Sequence, residues 1–73
     1  MSPMQNVVSS QIAAIGYDET QRVMRVQFNN GTIYEYQNVE PETHRLIMDG
    51  PSVGSEFTKR VKKYPEKYPY QKV

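Results

Sequence analysis

The side chains able to do acid–base, nucleophilic or metal chemistry are few in this chain. Cysteine is absent and His44 is the only histidine, so no nucleophile has a base beside it. Glu40, Glu42 and Asp49 are near His44 in sequence, but one imidazole among surface carboxylates matches no usual metal site. His44 lies four residues from both Glu40 and Met48, which suits a structural side chain. We therefore predict no enzyme, no metal site and no cofactor.

The chemistry that remains is binding chemistry, and it is concentrated at the C-terminal end. Residues 59–73 hold six of the nine Lys and Arg against one acidic residue, a charge of +5, whereas residues 1–58 carry −4. Cations interleaved with tyrosines suit RNA or an acidic protein surface, because lysine supplies long-range attraction and tyrosine supplies rigid contact area. A solvated helix face would explain the helical lysines equally well. The predicted partner-binding residues are Lys59, Arg60, Lys62, Lys63, Tyr64, Lys67, Tyr68 and Tyr70.

A secondary set of candidate binding residues lies outside this segment. Arg25 could grip phosphates, and Met4 and Val7 belong to an uncharged N-terminal arm that could touch a partner. Tyr34 and Tyr36 could stack on bases. We favour core packing for these two tyrosines, because a three-residue loop at 29–31 places them on the same face of the sheet as Met24, Val26 and Phe28.

The size and composition of the chain limit its architecture. Seventy-three residues make one domain, near the lower limit for folding without disulfides, a metal or oligomerisation. The absence of cysteine excludes disulfides. No apolar stretch approaches the roughly 20 residues of a membrane span, and no targeting signal is evident. We expect a cytoplasmic monomer that does not contact membranes.

Three segments predict strands. Residues 12–17, 23–28 and 32–37 are rich in β-branched and aromatic side chains, which favours an antiparallel meander. The loop at 29–31 sets the register, because a two-residue loop would oppose Val26 to Glu35. A three-residue loop with a left-handed glycine leaves that carboxylate in water, so we favour it.

Two short helices are predicted to follow and to pack on one face of the sheet. Pro41 suits the first position of a helix over 41–49, in which Leu46, Ile47 and Met48 form the buried side. A second helix is expected from 52 or 53 to 63, with Val53, Phe57, Val61 and Tyr64 at helical spacing. The fold class is therefore α+β, with a loose arm at 1–8, one domain at 9–64 and a flexible basic tail at 65–73.

Several short strings resemble the KTSC domain, a small domain found alone in bacterial and phage proteins and at the C-terminus of some lysyl-tRNA synthetases. They are Ser9-Ser10-Gln11-Ile12, Ile15-Gly16-Tyr17-Asp18, Tyr34-Glu35-Tyr36, and Ser52-Val53-Gly54 followed by Phe57 and Val61. The resemblance covers about residues 8–64, and it implies a fold more than an activity. The chain departs from the family at Glu56-Phe57-Thr58 and at His44, where aromatic residues are usual, and in Pro41, a displaced proline.

Two binding functions follow as hypotheses. The whole chain also resembles small phage-encoded regulators that bind host RNA polymerase, which implies a non-catalytic module docking on that enzyme through the basic segment. The acidic remainder favours this hypothesis mildly, because it would repel a wrapping polynucleotide. The alternative is an RNA-binding accessory domain, whose affinity would fall steeply with salt.

Overall fold

Five strands form one antiparallel sheet in the computed structural model, which describes residues 4–73. In chain order, and in the same order across the sheet, they are β1 (Gln5–Asn6), β2 (Ile12–Asp18), β3 (Val23–Phe28), β4 (Ile33–Tyr36) and β5 (Tyr70–Lys72). The predicted α+β class with an antiparallel meander is confirmed, because β2 to β4 are the three predicted strands. The predicted number of strands is wrong, since β1 and β5 extend the sheet at its two edges.

The connection between β3 and β4 is the predicted three-residue loop. Val26 is opposite Tyr34, and Gly31 has a φ of 91°, a conformation that costs glycine little. Arg25 and Glu35 are paired on the face turned away from Val26, and Arg25 Nε donates a hydrogen bond to Glu35 Oε2 at 3.0 Å. Glu35 is thus kept out of the core by this register and is paired with Arg25.

The first helix, α1 (Pro41–Asp49), has the predicted bounds. Pro41 stands at its start, where the backbone N–H has no acceptor within the helix. Proline, which lacks this N–H, therefore costs no hydrogen bond here. Ile47 is fully buried and Met48 packs against the core, but Leu46 is 39% exposed. Placing Leu46 on the buried side is therefore wrong, because adjacent positions of a helix point about 100° apart and Ile47 takes the central position.

The second helix has two parts. It begins as α2 (Val53–Phe57), where the hydroxyl of Ser52 accepts a hydrogen bond from the Ser55 N–H, and it continues as a π-helical segment (Thr58–Lys62). The backbone N–H of Lys63 donates to the Thr58 carbonyl at 3.2 Å across the wider turn. Tyr64, the last residue of the predicted helical spacing, follows that turn and is 54% exposed.

The C-terminal tail is a docked part of the fold, so the prediction of a flexible segment is wrong. Tyr68 is only 4% exposed and belongs to the core. The Pro69 carbonyl accepts a hydrogen bond from the Gln37 N–H at 2.7 Å, and Tyr70 then pairs with Tyr36 across the sheet. The physical reason is tertiary, because the open edge of β4 pairs with the backbone of β5 and a space in the core accepts the side chain of Tyr68.

The N-terminal arm is also partly ordered by pairing. Gln5 and Asn6 lie opposite Ile15 and Ala14 of β2, and the Val7 N–H donates to the Ala13 carbonyl at 3.1 Å. Residues 1–3 of the predicted loose arm lie outside the described residues. Because both side chains of β1 are exposed, the pairing uses backbone groups alone and leaves no pattern in the sequence.

The core lies between one face of the sheet and the two helices. Its eleven buried members come from every layer of the fold: Ile12, Ile15, Tyr17, Met24, Val26, Tyr36, Val39, Ile47, Phe57, Val61 and Tyr68. A β-bulge between Ile12 and Ala14 shifts the alternation of β2, so that Ile12 and Ile15 both face the helices. Within residues 4–73, no helix is long and apolar enough to cross a bilayer.

Candidate binding surface

Glu56 organises the cations around the second helix. Its side chain is 12% exposed and accepts Arg60 Nε at 2.9 Å and Lys59 Nζ at 3.2 Å. These hydrogen bonds hold the pKa of the Glu56 carboxyl below its usual value. The backbone of Gly50 is so close that a Cβ there would lie 2.5 Å from Glu56 Cγ. Two of the predicted binding cations are thus anchored and compensated by one carboxylate, so the basic segment has less free charge than its formal +5.

A depression of about 340 Å³, called here the basic face, gathers five of the eight predicted partner-binding residues. It is lined by Thr43, Lys59, Arg60, Tyr64, Lys67 and Tyr68. The ammonium of Lys67 lies 5.3 Å from the ring centroid of Tyr68, within range of a cation–π contact. Because Tyr68 is almost fully buried, it forms the floor of this depression. Lys59, Tyr64 and Lys67 are exposed at its rim, and of these three Lys59 is paired with Glu56.

A second depression, called here the aromatic groove, lies where β4 and β5 meet the second helix. Its volume is about 550 Å³, and it is lined by Gln11, Phe28, Asn29, Asn30, Thr32, Tyr34, Tyr36, Lys62 and Tyr70. The Tyr34 and Tyr70 ring centroids are 5.7 Å apart, and those of Tyr36 and Tyr70 are 5.4 Å apart. Burial, and then the neighbouring Tyr70 and Tyr34, raise the pKa of Tyr36 to about 12, so its hydroxyl stays neutral at physiological pH.

The groove contains residues that the sequence analysis did not select. Tyr36 is a core residue, as predicted, and also borders the groove. Tyr34 packs against the core as well, but its half-buried side chain lines the groove. The sequence indicates that Tyr34 and Tyr36 share one face of a strand, because they are two residues apart. These two tyrosines form the side of a groove only when Tyr70 pairs beside them. From the sequence, Asn29 and Asn30 are predicted only as turn residues, because nothing in the sequence shows that their loop borders a depression.

A third depression, called here the hydroxyl cleft, brings two of the family-like strings together. Its lining includes Ser9, Ser52, Gly54, Lys59 and Lys63. Ser9 Oγ accepts from the backbone N–H groups of residues 11 and 12 at 3.2 and 3.3 Å. A Cβ on Gly54 would lie 2.6 Å from that oxygen. Close packing of two backbone segments is therefore a sufficient reason for serine and glycine at these positions.

The predicted partner-binding residues are thus divided among three depressions. Lys62 and Tyr70 line the aromatic groove, Lys63 lines the hydroxyl cleft, and the other five line the basic face, with Lys59 shared. Successive helical residues point about a quarter of a turn apart. The basic residues therefore spread over the exposed half of the helix, opposite the buried Val61, and reach three depressions instead of one.

The secondary candidates take part in structural contacts. Arg25 is paired with Glu35 on the outer face of the sheet, whereas the helices cover the other face. Val7 packs against the core, and Met4 is half-buried. None of the three lines the depressions described above.

His44 is held by an aromatic stack. Its ring lies 4.5 Å from that of Tyr17 at an interplanar angle of 8°, and the Tyr17 hydroxyl donates to the Val39 carbonyl. Burial lowers the pKa of His44, against a smaller opposing effect of Asp49, so the imidazole is neutral at pH 7. Within residues 4–73, no three side chains of the metal-binding types come together.

Comparison with known proteins places this architecture in one family. The sequence pattern of the KTSC domain matches residues 8–68. The crystal structure of a KTSC domain protein from Yersinia pestis superposes with a TM-score of 0.88 at 32% identity, covering 97% of this chain and 96% of that one. A protein of Stutzerimonas stutzeri is 32% identical over 65 residues, which are 89% of each chain.

A longer relative carries a similar segment. The lysine–tRNA ligase of Nostoc punctiforme is 28% identical over 60 residues, which cover 82% of this chain and only 11% of the ligase. Similarity to that enzyme is thus restricted to a small part of it. Because the family pattern extends over most of the sequence and the solved relative shares the whole fold, this chain belongs to the KTSC domain family.

Proposed function

We propose that this protein is a non-catalytic binding module that docks through its basic face on a protein partner with an acidic surface. The specific candidate for this partner is bacterial RNA polymerase. Binding would alter the activity of the polymerase by occlusion or by conformational bias. This candidate rests on the resemblance to small phage-encoded regulators. A cytoplasmic location follows from such a partner.

The observation that carries the proposal is that the basic face is preformed. Tyr68 fixes the segment in the core, so Tyr64 and Lys67 are presented on a rigid support. A preordered surface loses less conformational entropy on binding than a mobile tail would. Tyrosine and lysine also combine the two properties of a docking site, since tyrosine gives contact area and lysine accelerates encounter with an acidic patch.

Titration of purified bacterial RNA polymerase against fluorescently labelled protein tests the proposal. Lys67→Glu should weaken binding by at least about tenfold, because it places a carboxylate against the acidic patch. Lys72→Glu is the matched control, with the same change in charge at an exposed lysine outside the basic face. Tyr64→Ala and Tyr70→Ala form a second pair, since their exposures are 54% and 55%. Equal effects within each pair, or no complex at all, would count against docking through this face.

RNA binding is the second candidate, and the ligase relative is the observation that favours it. In this case, exposed lysines of the basic segment would contact the phosphates of RNA. The two candidates differ in how strongly the binding affinity depends on salt concentration. For a single strand, the logarithm of the affinity should fall with the logarithm of salt concentration with a slope of about −0.7 for each phosphate neutralised. An RNA affinity that is unchanged between low and moderate salt would contradict this candidate.

A further inference from the structure

The aromatic groove has the shape of a site for a planar ligand. Tyr34 stands at 77° to Phe28 and at 76° to Tyr70, with centroid distances of 5.8 and 5.7 Å. A flat ring stacked on one of these side chains therefore meets the edge of another, and both contacts are favourable between aromatic groups. The volume of about 550 Å³ lies within the range of about 300–1,000 Å³ that holds small organic ligands.

Neutral polar groups at one end of the groove suit the edge of a nucleobase. Asn29 Nδ2 donates to the Ser9 carbonyl at 3.3 Å, and Asn30 Oδ1 accepts from the Thr32 N–H at 2.9 Å. Among the hydrogen bonds of residues 4–73, the other amide atom of each asparagine has no partner. The site thus offers one acceptor and one donor, and Gln11 adds a further amide. Base edges carry donors and acceptors in combination, which amide side chains can match.

Charge defines the remaining part of the ligand. Lys62 is the only charged side chain that lines the groove, and it takes part in none of the ion pairs within residues 4–73. A ligand with a planar ring and one adjacent anionic group would complement this set. We propose that the aromatic groove binds one unpaired nucleotide, with its base against the tyrosines and its phosphate on Lys62.

This inference rests on the RNA-binding candidate for its ligand class, but it uses a different surface from the basic face. Stacking of bases on aromatic side chains tolerates different sequences, because every base has a π-face. The groove therefore selects single strands over duplexes, in which the faces of the bases are covered by their neighbours. Selection among the four bases would depend on the asparagines at its rim.

Fluorescence anisotropy with a 5′-labelled single-stranded hexaadenylate tests the groove. Tyr70→Ala should weaken binding by about 5- to 150-fold, the range for loss of one base–aromatic stack. Leu46→Ala, at an exposed apolar side chain of α1 that lines none of the three depressions, should change it less than twofold. Lys62→Gln should make the salt slope shallower by about 0.7, the contribution of one phosphate. A blunt-ended duplex long enough to stay paired in the assay should bind at least about tenfold more weakly.

Adenosine 5′-monophosphate added to the unmodified ¹⁵N-labelled protein gives a second measurement that requires no variant. The amide signals of Asn29, Asn30 and Tyr70 should shift together, because a mononucleotide is small enough to occupy the groove alone. Shifts confined to other regions, or equal losses from Tyr70→Ala and Leu46→Ala, would overturn the inference. It would also be overturned if N-acetyltryptophanamide shifted these signals and the nucleotide did not. Loss of hexaadenylate affinity in Lys67→Glu alone would leave RNA binding to the basic face and remove it from the groove.

Discussion

Replacing Tyr68 by alanine should destabilise the whole domain, although this residue lies only five positions from the end of the sequence. The ring is 4% exposed and packs in the same core as Phe57 and Val61. A buried aromatic side chain removes about 150–250 Å² from water, which at about 25 cal/mol per Å² corresponds to roughly 4–6 kcal/mol. Alanine retains part of that area, and aromatic-to-alanine changes in cores cost about 3–5 kcal/mol.

A loss of this size is a large fraction of the free energy of unfolding, which for small domains is about 5–15 kcal/mol. It should lower the melting temperature by at least about 12 °C, since each kcal/mol corresponds to about 4–8 °C in a chain of this length. Calorimetry and urea unfolding followed by circular dichroism measure the two quantities. Tyr64→Ala is the control, because this tyrosine lies in the same segment and is 54% exposed. Its effect should stay within about 0.5 kcal/mol.

This reasoning would be refuted if Tyr68→Ala and Tyr64→Ala had the same melting temperature, within about 2 °C of that of the unmodified protein. Removal of residues 65–73 provides an independent check, because it deletes β5 as well as Tyr68. It should destabilise the protein at least as much as Tyr68→Ala does. A truncated protein of unchanged stability would show that the tail is a mobile segment, as its proline and lysine content suggests.

Three further predictions concern the core and the sheet–helix contact. Phe57→Ala should cost about 3–5 kcal/mol in urea unfolding, because its side chain is fully buried. Gly54→Ala should destabilise by about 1–3 kcal/mol through the clash with Ser9 Oγ, and in a Ser9→Ala background this loss should disappear in a double-mutant cycle. Burial holds the pKa of His44 below the ordinary imidazole value of about 6.5. The unfolded chain therefore binds this proton more readily, and stability should decrease as the pH falls below about 6.5. His44→Phe, which keeps a ring on Tyr17, should flatten this dependence, and an NMR titration midpoint above 6.5 would contradict the assignment.

Local chemistry in the sequence was sufficient for much of the scaffold. Pro41 and the Gly50-Pro51 pair fix the bounds of α1, because their effects on the backbone do not depend on distant residues. The register of β3 and β4 was also predictable, since the three-residue loop keeps Glu35 on the outer face of the sheet, where it pairs with Arg25, and Gly31 can adopt a positive φ. These features act within a few residues of their cause.

The edges of the sheet and the binding surfaces were decided by tertiary structure. β1 pairs through backbone groups that every sequence possesses, and β5 is ordered because Tyr68 enters a space between the helices and the sheet. The aromatic groove exists only because Tyr70, from the end of the chain, is brought beside Tyr34. Composition alone determined that this protein carries lysines and tyrosines suited to binding. Which of them share a surface depended on long-range packing, because contacts between residues distant in sequence leave no local pattern.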